Sequence, residues 1–140
     1  MIPSSALEWN THLSKDEDRD VRDWATFALG SQTDIDTPEL REALRARLTD
    51  NDPEIRGEAL VGLGRRQDEQ LKSAVLDELS GEFHGDWVFE AADAIADPDF
   101  IPALESMRAR MNADLPERFF VRLDVALLAC QRKRTPDAGR

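Results

Sequence analysis

Two histidines, His12 and His84, and one cysteine, Cys130, are the side chains best suited to metal or nucleophilic chemistry, and none has a companion at a working spacing. Zinc sites call for His-x-x-x-His or paired cysteines, and carboxylate-bridged iron for Glu-x-x-His; neither pattern occurs in the chain. Gly-x-Gly-x-x-Gly, a Walker loop and a Gly-x-Ser-x-Gly elbow are equally missing. Cys130 ends the apolar run 125–130, where a small buried hydrophobe is the ordinary reading, and a lone cysteine cannot close an internal disulfide. No catalytic residue, metal ligand or cofactor is expected, so the chain reads as a non-enzyme of a reducing cytoplasm.

What remains is charge and aromatic surface. Asp and Glu number 29 against 18 Lys and Arg, a formal charge of -11. Such a chain repels phosphate backbones and anionic membranes at long range, so neither nucleic acid nor membrane is an expected partner. The first ten residues carry no cation, and no run approaches the roughly 18 apolar residues of a membrane span, so neither a signal peptide nor a spanning helix is expected. A length of 140 residues with 41% hydrophobic and 34% charged side chains fits one compact domain.

The elements that position these side chains repeat. Asp18-Arg19-Asp20-Val21-Arg22 continues through Ala25 to Leu29-Gly30, and Asp52-Pro53-Glu54-Ile55-Arg56 through Ala59 to Leu63-Gly64, in register at an offset of 34. A third copy begins at Asp86, matches Glu90-Ala91 to Glu58-Ala59, and has Val88 where the Arg should be. Other stretches carry apolar residues at i, i+3, i+4 spacing: Leu40, Ala43, Leu44 and Leu48, then Leu71, Ala74, Val75 and Leu79, then Phe100, Ala103, Leu104 and Met107. The unit is a helical hairpin. Thr37-Pro38 and Asp52-Pro53 mark helix starts, Ser5-x-x-Glu8 and Asp114-x-x-Glu117 have capping-box spacing, and Gly30, Gly64 and Asp97-Pro98-Asp99 read as stops.

The pattern predicts an all-α fold of eight helices in four hairpins: 4–14 with 19–29, 38–49 with 53–66, 68–80 with 86–96, and 99–112 with 115–132. A single domain then covers 1–131, in hairpins at about 4–30, 38–66, 68–96 and 99–131, and residues 132–140 form a flexible carboxyl-terminal tail. One hairpin cannot bury its own apolar face, so neighbours must stack.

The motif Asp-x-Asp-Val-Arg-x-x-Ala-x-x-x-Leu-Gly at 18–30 and its copy at 52–64 resemble HEAT repeats, of the short bacterial type named after phycobilisome lyases. The resemblance implies a right-handed α-α superhelix, the armadillo/HEAT-like solenoid, whose second helices line a concave groove. It also implies that Arg22 and Arg56 bridge to an Asp in the next turn. Three columns of side chains would then stack along the groove: Asp20, Glu54 and Asp86; Trp24, Glu58 and Glu90; Phe27, Val61 and Asp93.

The first column sits in opening helical turns, where carboxylates favour the macrodipole whatever the function. Glu58, Glu90 and Asp93 lie deeper, as groove residues or as an ordinary solvated face. Trp24 and Phe27 are either core beneath the helix at 38–49 or an aromatic anchor. The candidate partner-binding residues are therefore Trp24, Phe27, Glu58, Val61, Glu90 and Asp93. Arg65-Arg66 and Arg132-Lys133-Arg134 read as solvated helix ends.

The expected function is a non-catalytic protein-interaction module, an adaptor or an immunity-type inhibitor, that takes a basic protein into an acidic groove. The alternative implied by the resemblance is an enzyme or enzyme subunit, bilin-lyase-like or alkylpurine DNA glycosylase-like, although the glycosylase needs cations where these columns are mostly acidic. The last helix, with Phe119, Phe120, Val121 and Leu123, offers an apolar face through which a homodimer could form.

Overall fold

The computed structural model describes residues 5–134, and those residues are helical with no strand among them. The helices are α1 (Ala6–Leu13), α2 (Arg19–Ser31), α3 (Pro38–Arg47), α4 (Pro53–Arg65), α5 (Leu71–Ser80), α6 (Trp87–Ile95), α7 (Ile101–Arg110) and α8 (Glu117–Arg134), with a 3-10 turn at Pro98–Phe100. All eight expected helices are present. The tail expected over 132–140 begins instead as helix, since α8 runs through Arg134; residues 135–140 lie outside the described residues.

Helix starts follow local chemistry. Ser5 Oγ accepts the Glu8 N–H at 3.1 Å and Thr37 Oγ1 accepts the Leu40 N–H at 3.1 Å. The Asp18 and Asp52 carboxylates each accept two N–H groups of the following turn, and Pro38 and Pro53 fill first positions where a missing donor costs nothing. The box expected at Asp114 does not form. The Asp114 N–H donates to the Asn112 side chain at 2.8 Å, and α8 starts only at Glu117. Pro116 disfavours helical backbone at Leu115, which delays the start.

Contacts gather into two compact units, Met1–Asp68 and Glu69–Arg140. In unit 1, α2 packs along α4 and α3 packs on α4. Leu29, Leu40, Leu44, Ile55, Leu60 and Leu63 are buried there. Gly30 and Gly62 bring α2 and α4 into backbone contact: a Cβ on Gly62 would lie 2.5 Å from the Gly30 Cα. Gly30 is thus a close-approach residue rather than a stop, because α2 continues through Ser31; α4 likewise passes Gly64 and ends at Arg65.

In unit 2, α8 packs against α6 and α7, and α5 packs against α7. Phe89, Phe100, Leu104, Met107, Leu123 and Ala126 are buried. Phe83 stacks on Phe89 at 5.6 Å between ring centroids and meets Phe119 edge-on at 5.1 Å. Helix α6 ends on Ala96 in the left-handed region, at φ 55°. The third repeat copy has no glycine there, and a Cβ in that region costs roughly 1–2 kcal/mol.

Candidate protein-interaction surface

The repeated arginines are structural, and they act alike. Arg22 donates to the Asp16 and Glu17 carbonyls at 3.1 and 3.3 Å; Arg56 donates to the Asp50 and Asn51 carbonyls at 2.9 and 3.3 Å. Each thus ties its helix to the turn five and six residues earlier. Arg22 also pairs with the buried Asp50 carboxylate at 2.6 Å, the bridge to the next turn that the repeat resemblance implies. Burial would raise the Asp50 pKa, but Arg22 and the Asp52 N–H outweigh it and hold the carboxyl below the ordinary aspartate value.

Arg65 and Arg66 are not solvated ends. Arg66 donates to the carbonyls of Leu29, Gly30, Thr33, Ile35 and Gly62 at 2.8 to 3.1 Å, and Arg65 donates to Gly30 at 2.6 Å. The carbonyls of Leu29 and Gly30 belong to the last turn of α2, which has no intrahelical donors left for them. A guanidinium fork answers both the hydrogen-bond deficit and the negative dipole end. Burial and the neighbouring Arg65 pull the Arg66 pKa down from its ordinary value.

The carboxylates of the first two columns are partly committed within their own units. In unit 1, Arg19 bonds Asp52 at 2.6 Å, Asp20 at 3.1 Å and Glu54. In unit 2, Arg122 bonds Glu90 at 2.7 Å and approaches Asp86 at 3.9 Å. Asp23 differs. Its Oδ1 is buried without a hydrogen-bond partner among the described residues, and burial together with the Glu54 charge raises its pKa.

Trp24 is 62% exposed and is not core. Its ring stacks on half-buried Phe27, with centroids 5.8 Å apart and planes inclined by 22°. Asp20, Trp24 and Phe27 follow i, i+4, i+7 spacing and so share one face of α2, with the Asp20 side chain 88% exposed. Glu58 is half-buried on α4 of the same unit. Val61 is 7% exposed and belongs to the buried set, so its place in the expected groove is corrected: α4 buries Ala59 through Gly64 without a break, and 61 falls inside that run. Glu90 and Asp93 lie on α6 of unit 2, exposed and half-buried respectively.

The other chemical groups stand apart. His12 is exposed on α1, its ring edge-on to Trp9 at 6.3 Å, and His84 is exposed between α5 and α6. Cys130 is fully buried, and burial together with Asp97 and Asp93 pushes its thiol up to about 11. Among the described residues no group of three or more His, Cys, Asp or Glu is arranged to hold a metal ion, and no helix is long and apolar enough to cross a membrane.

Known proteins share this build. Protein YibA of Escherichia coli, from strain K12 and from O157:H7, is 35% identical over 96 residues, which is 69% of this chain and 34% of YibA. An X-ray structure of Escherichia coli YibA aligns with a TM-score of 0.73 and 28% identity over 92% of this chain and 45% of that one. The chain therefore spans about a third of the length of the curated relatives it matches. The HEAT-repeat family pattern matches residues 8–96, from α1 to just past the end of α6 and so across all three copies of the motif. With the paired Arg22 and Arg56 bonds, this match places the chain in the HEAT-repeat family of all-α helical-repeat proteins.

Proposed function

We propose that the protein is a non-catalytic protein-interaction module whose anchor is Trp24. The observation that carries this reading is a large aromatic side chain held in the open and stacked on Phe27, on a helix face that also carries Asp20. Burying an exposed tryptophan on a partner supplies the largest single increment of interface energy. The surrounding carboxylates, in a chain of formal charge -11, favour a basic partner and speed its encounter. Glu58 in unit 1, and Glu90 and Asp93 in unit 2, are the further acidic contacts of this reading, with the protein serving as an adaptor or as an inhibitor that occludes a basic protein.

The test is capture of partners from native lysate on immobilised wild type, Trp24→Ala and Glu58→Lys/Glu90→Lys, with circular dichroism confirming that each stays folded. A basic protein held by wild type should bind Trp24→Ala about 30-fold more weakly or worse, as loss of a hot-spot aromatic implies. Charge reversal should slow its association. Equal retention by all three proteins would remove the aromatic and acidic surface from the function.

A further inference from the structure

Helix α8 exposes a second surface, built differently from the first. Val121, Val125 and Leu128 are 51%, 43% and 47% exposed although all three are apolar. At 100° per residue they fall within about 60° of one another; Arg132 falls on the same arc and Glu117 about 20° beyond its edge, both exposed. The stripe thus reads, along the helix, acid, three aliphatics, base. Elsewhere on α8, Leu123, Ala126 and Cys130 are fully buried inside unit 2, and Leu127 and Ala129 are half-buried. Asp124 at the edge of the stripe is tied to Arg108 at 3.4 Å, and Arg118 lies over the Phe119 ring at 4.7 Å.

Such a stripe is complementary to itself when reversed. Glu117 and Arg132 are 15 residues apart, about 22 Å along the helix. We propose that α8 pairs antiparallel with α8 of a second copy of this chain about a two-fold axis between residues 124 and 125. In that register Val121 meets Leu128 of the second copy, the two Val125 side chains flank the axis, and Glu117 meets Arg132 of the second copy at both ends. A parallel pairing would instead set Glu117 against Glu117 and Arg132 against Arg132, so the charges select the direction. The interface is isologous and closes at two copies. Its apolar centre is short, well under the roughly 800 Å² per partner of a standard interface, so it forms a weak dimer that populates at high protein concentration.

The full chain is the right material. Sedimentation equilibrium should show concentration-dependent dimerisation, abolished in Val125→Glu with helicity unchanged by circular dichroism. Val125→Cys should form an intermolecular disulfide under mild oxidation, while Val121→Cys and Leu128→Cys should crosslink with each other when mixed and poorly when alone. Glu117→Arg alone and Arg132→Glu alone should each dissociate about tenfold more readily, because like charges then face at both ends. An equimolar mixture of those two variants should regain wild-type affinity, since every end of the mixed dimer is again opposite in sign. A monomer at all concentrations, self-crosslinking of Val121→Cys and Leu128→Cys in preference to the mixture, or failure of the mixture to recover would each overturn the proposal.

Discussion

At the carbonyl end of α2 in unit 1, Arg66, just past the end of α4, donates to five carbonyls with one guanidinium, among them Gly30 and Leu29, 36 and 37 residues earlier. At the carbonyl end of α6 in unit 2, the cation 38 residues after Ile95 is Lys133, and it makes one bond, to the Ile95 carbonyl at 3.3 Å. The same repeat position carries the same sign of charge, yet the consequences differ. An arginine fork spans several carbonyls with little further loss of side-chain freedom, whereas an ammonium on a flexible stem takes one. Unit 2 ends α6 by bending Ala96 into the left-handed region, and its interior holds Phe89 and Phe100, with half-buried Phe83 stacked on Phe89. In unit 1 the fork closes α2, whereas in unit 2 it falls on α5, where Arg110 donates to the Leu79 and Gly81 carbonyls at 2.6 and 2.7 Å, and α6 is left with the single lysine bond.

The clasp is the place to break this contrast most sharply. Arg66→Met keeps length and apolar stem but removes every donor, and should destabilise unit 1 by about 3 kcal/mol, the loss expected when charge-assisted bonds to partly buried carbonyls go unmade. Lys133→Met should change unit 2 by less than about 0.5 kcal/mol, as an exposed single bond implies. Urea denaturation followed by hydrogen exchange at α2 and α6 amides reads both; equal losses would show the two clasps to be equivalent.

Acid should act on the clasped unit next. Folding lowers the pKa of Asp52 through Arg19 and of Asp36 through Arg41, and that of Asp50 through Arg22 and the Asp52 N–H against the pull of burial. A carboxyl with a depressed folded pKa contributes stability that is fully present above its unfolded value, about 3.9, and is lost as pH falls through the lower folded value. Asp23 has the opposite sign, its raised pKa favouring the folded state as it protonates. Unit 1 amides should therefore hold their protection down to about pH 4 and lose it below. Asp50→Asn should cost about 2 kcal/mol at neutral pH by breaking a buried pair, and should flatten this acid limb. A limb of unchanged steepness would show that Asp50 does not set it.

The smallest effect belongs to unit 2. Ala96→Gly relieves the left-handed strain, offset in part by the greater freedom of glycine in the unfolded chain, and should raise stability by about 0.5–1 kcal/mol. Differential scanning calorimetry with exchange at α6 reads the gain. No gain would mean that Ala96 is held without strain.

How much was legible follows the range of each interaction. Caps at Ser5, Thr37 and Asp52 act on N–H groups two or three residues away, so their spacing in sequence is their geometry in space. The bonds of Arg22 and Arg56 to carbonyls five and six residues back are nearly as local. Trp24 was readable as a candidate but not as exposed, because periodicity places it on a face without saying what covers that face. Val61 shows the same limit from the other side, since its column is half-buried at Phe27 on α2 and closed at Val61 on α4. Glu90 belonged to an acidic column by sequence, and only the fold supplies Arg122 beside it. The Asp114 box failed for a local reason, the backbone preference imposed by Pro116.

The sequence by itself determined eight helices, the caps of α1, α3 and α4, the pairing into hairpins and the family, because 3.6-residue periodicity and capping are written within one or two turns. Tertiary structure alone decided that Gly30 is a contact with Gly62 rather than a stop, that Arg65 and Arg66 clasp α2, and that Trp24 and the Val121, Val125, Leu128 stripe are open. Those outcomes join residues about 30 or more apart, or depend on what packs over a helix face. Such distances are set by how one hairpin lies on the next, and no spacing along the chain encodes them.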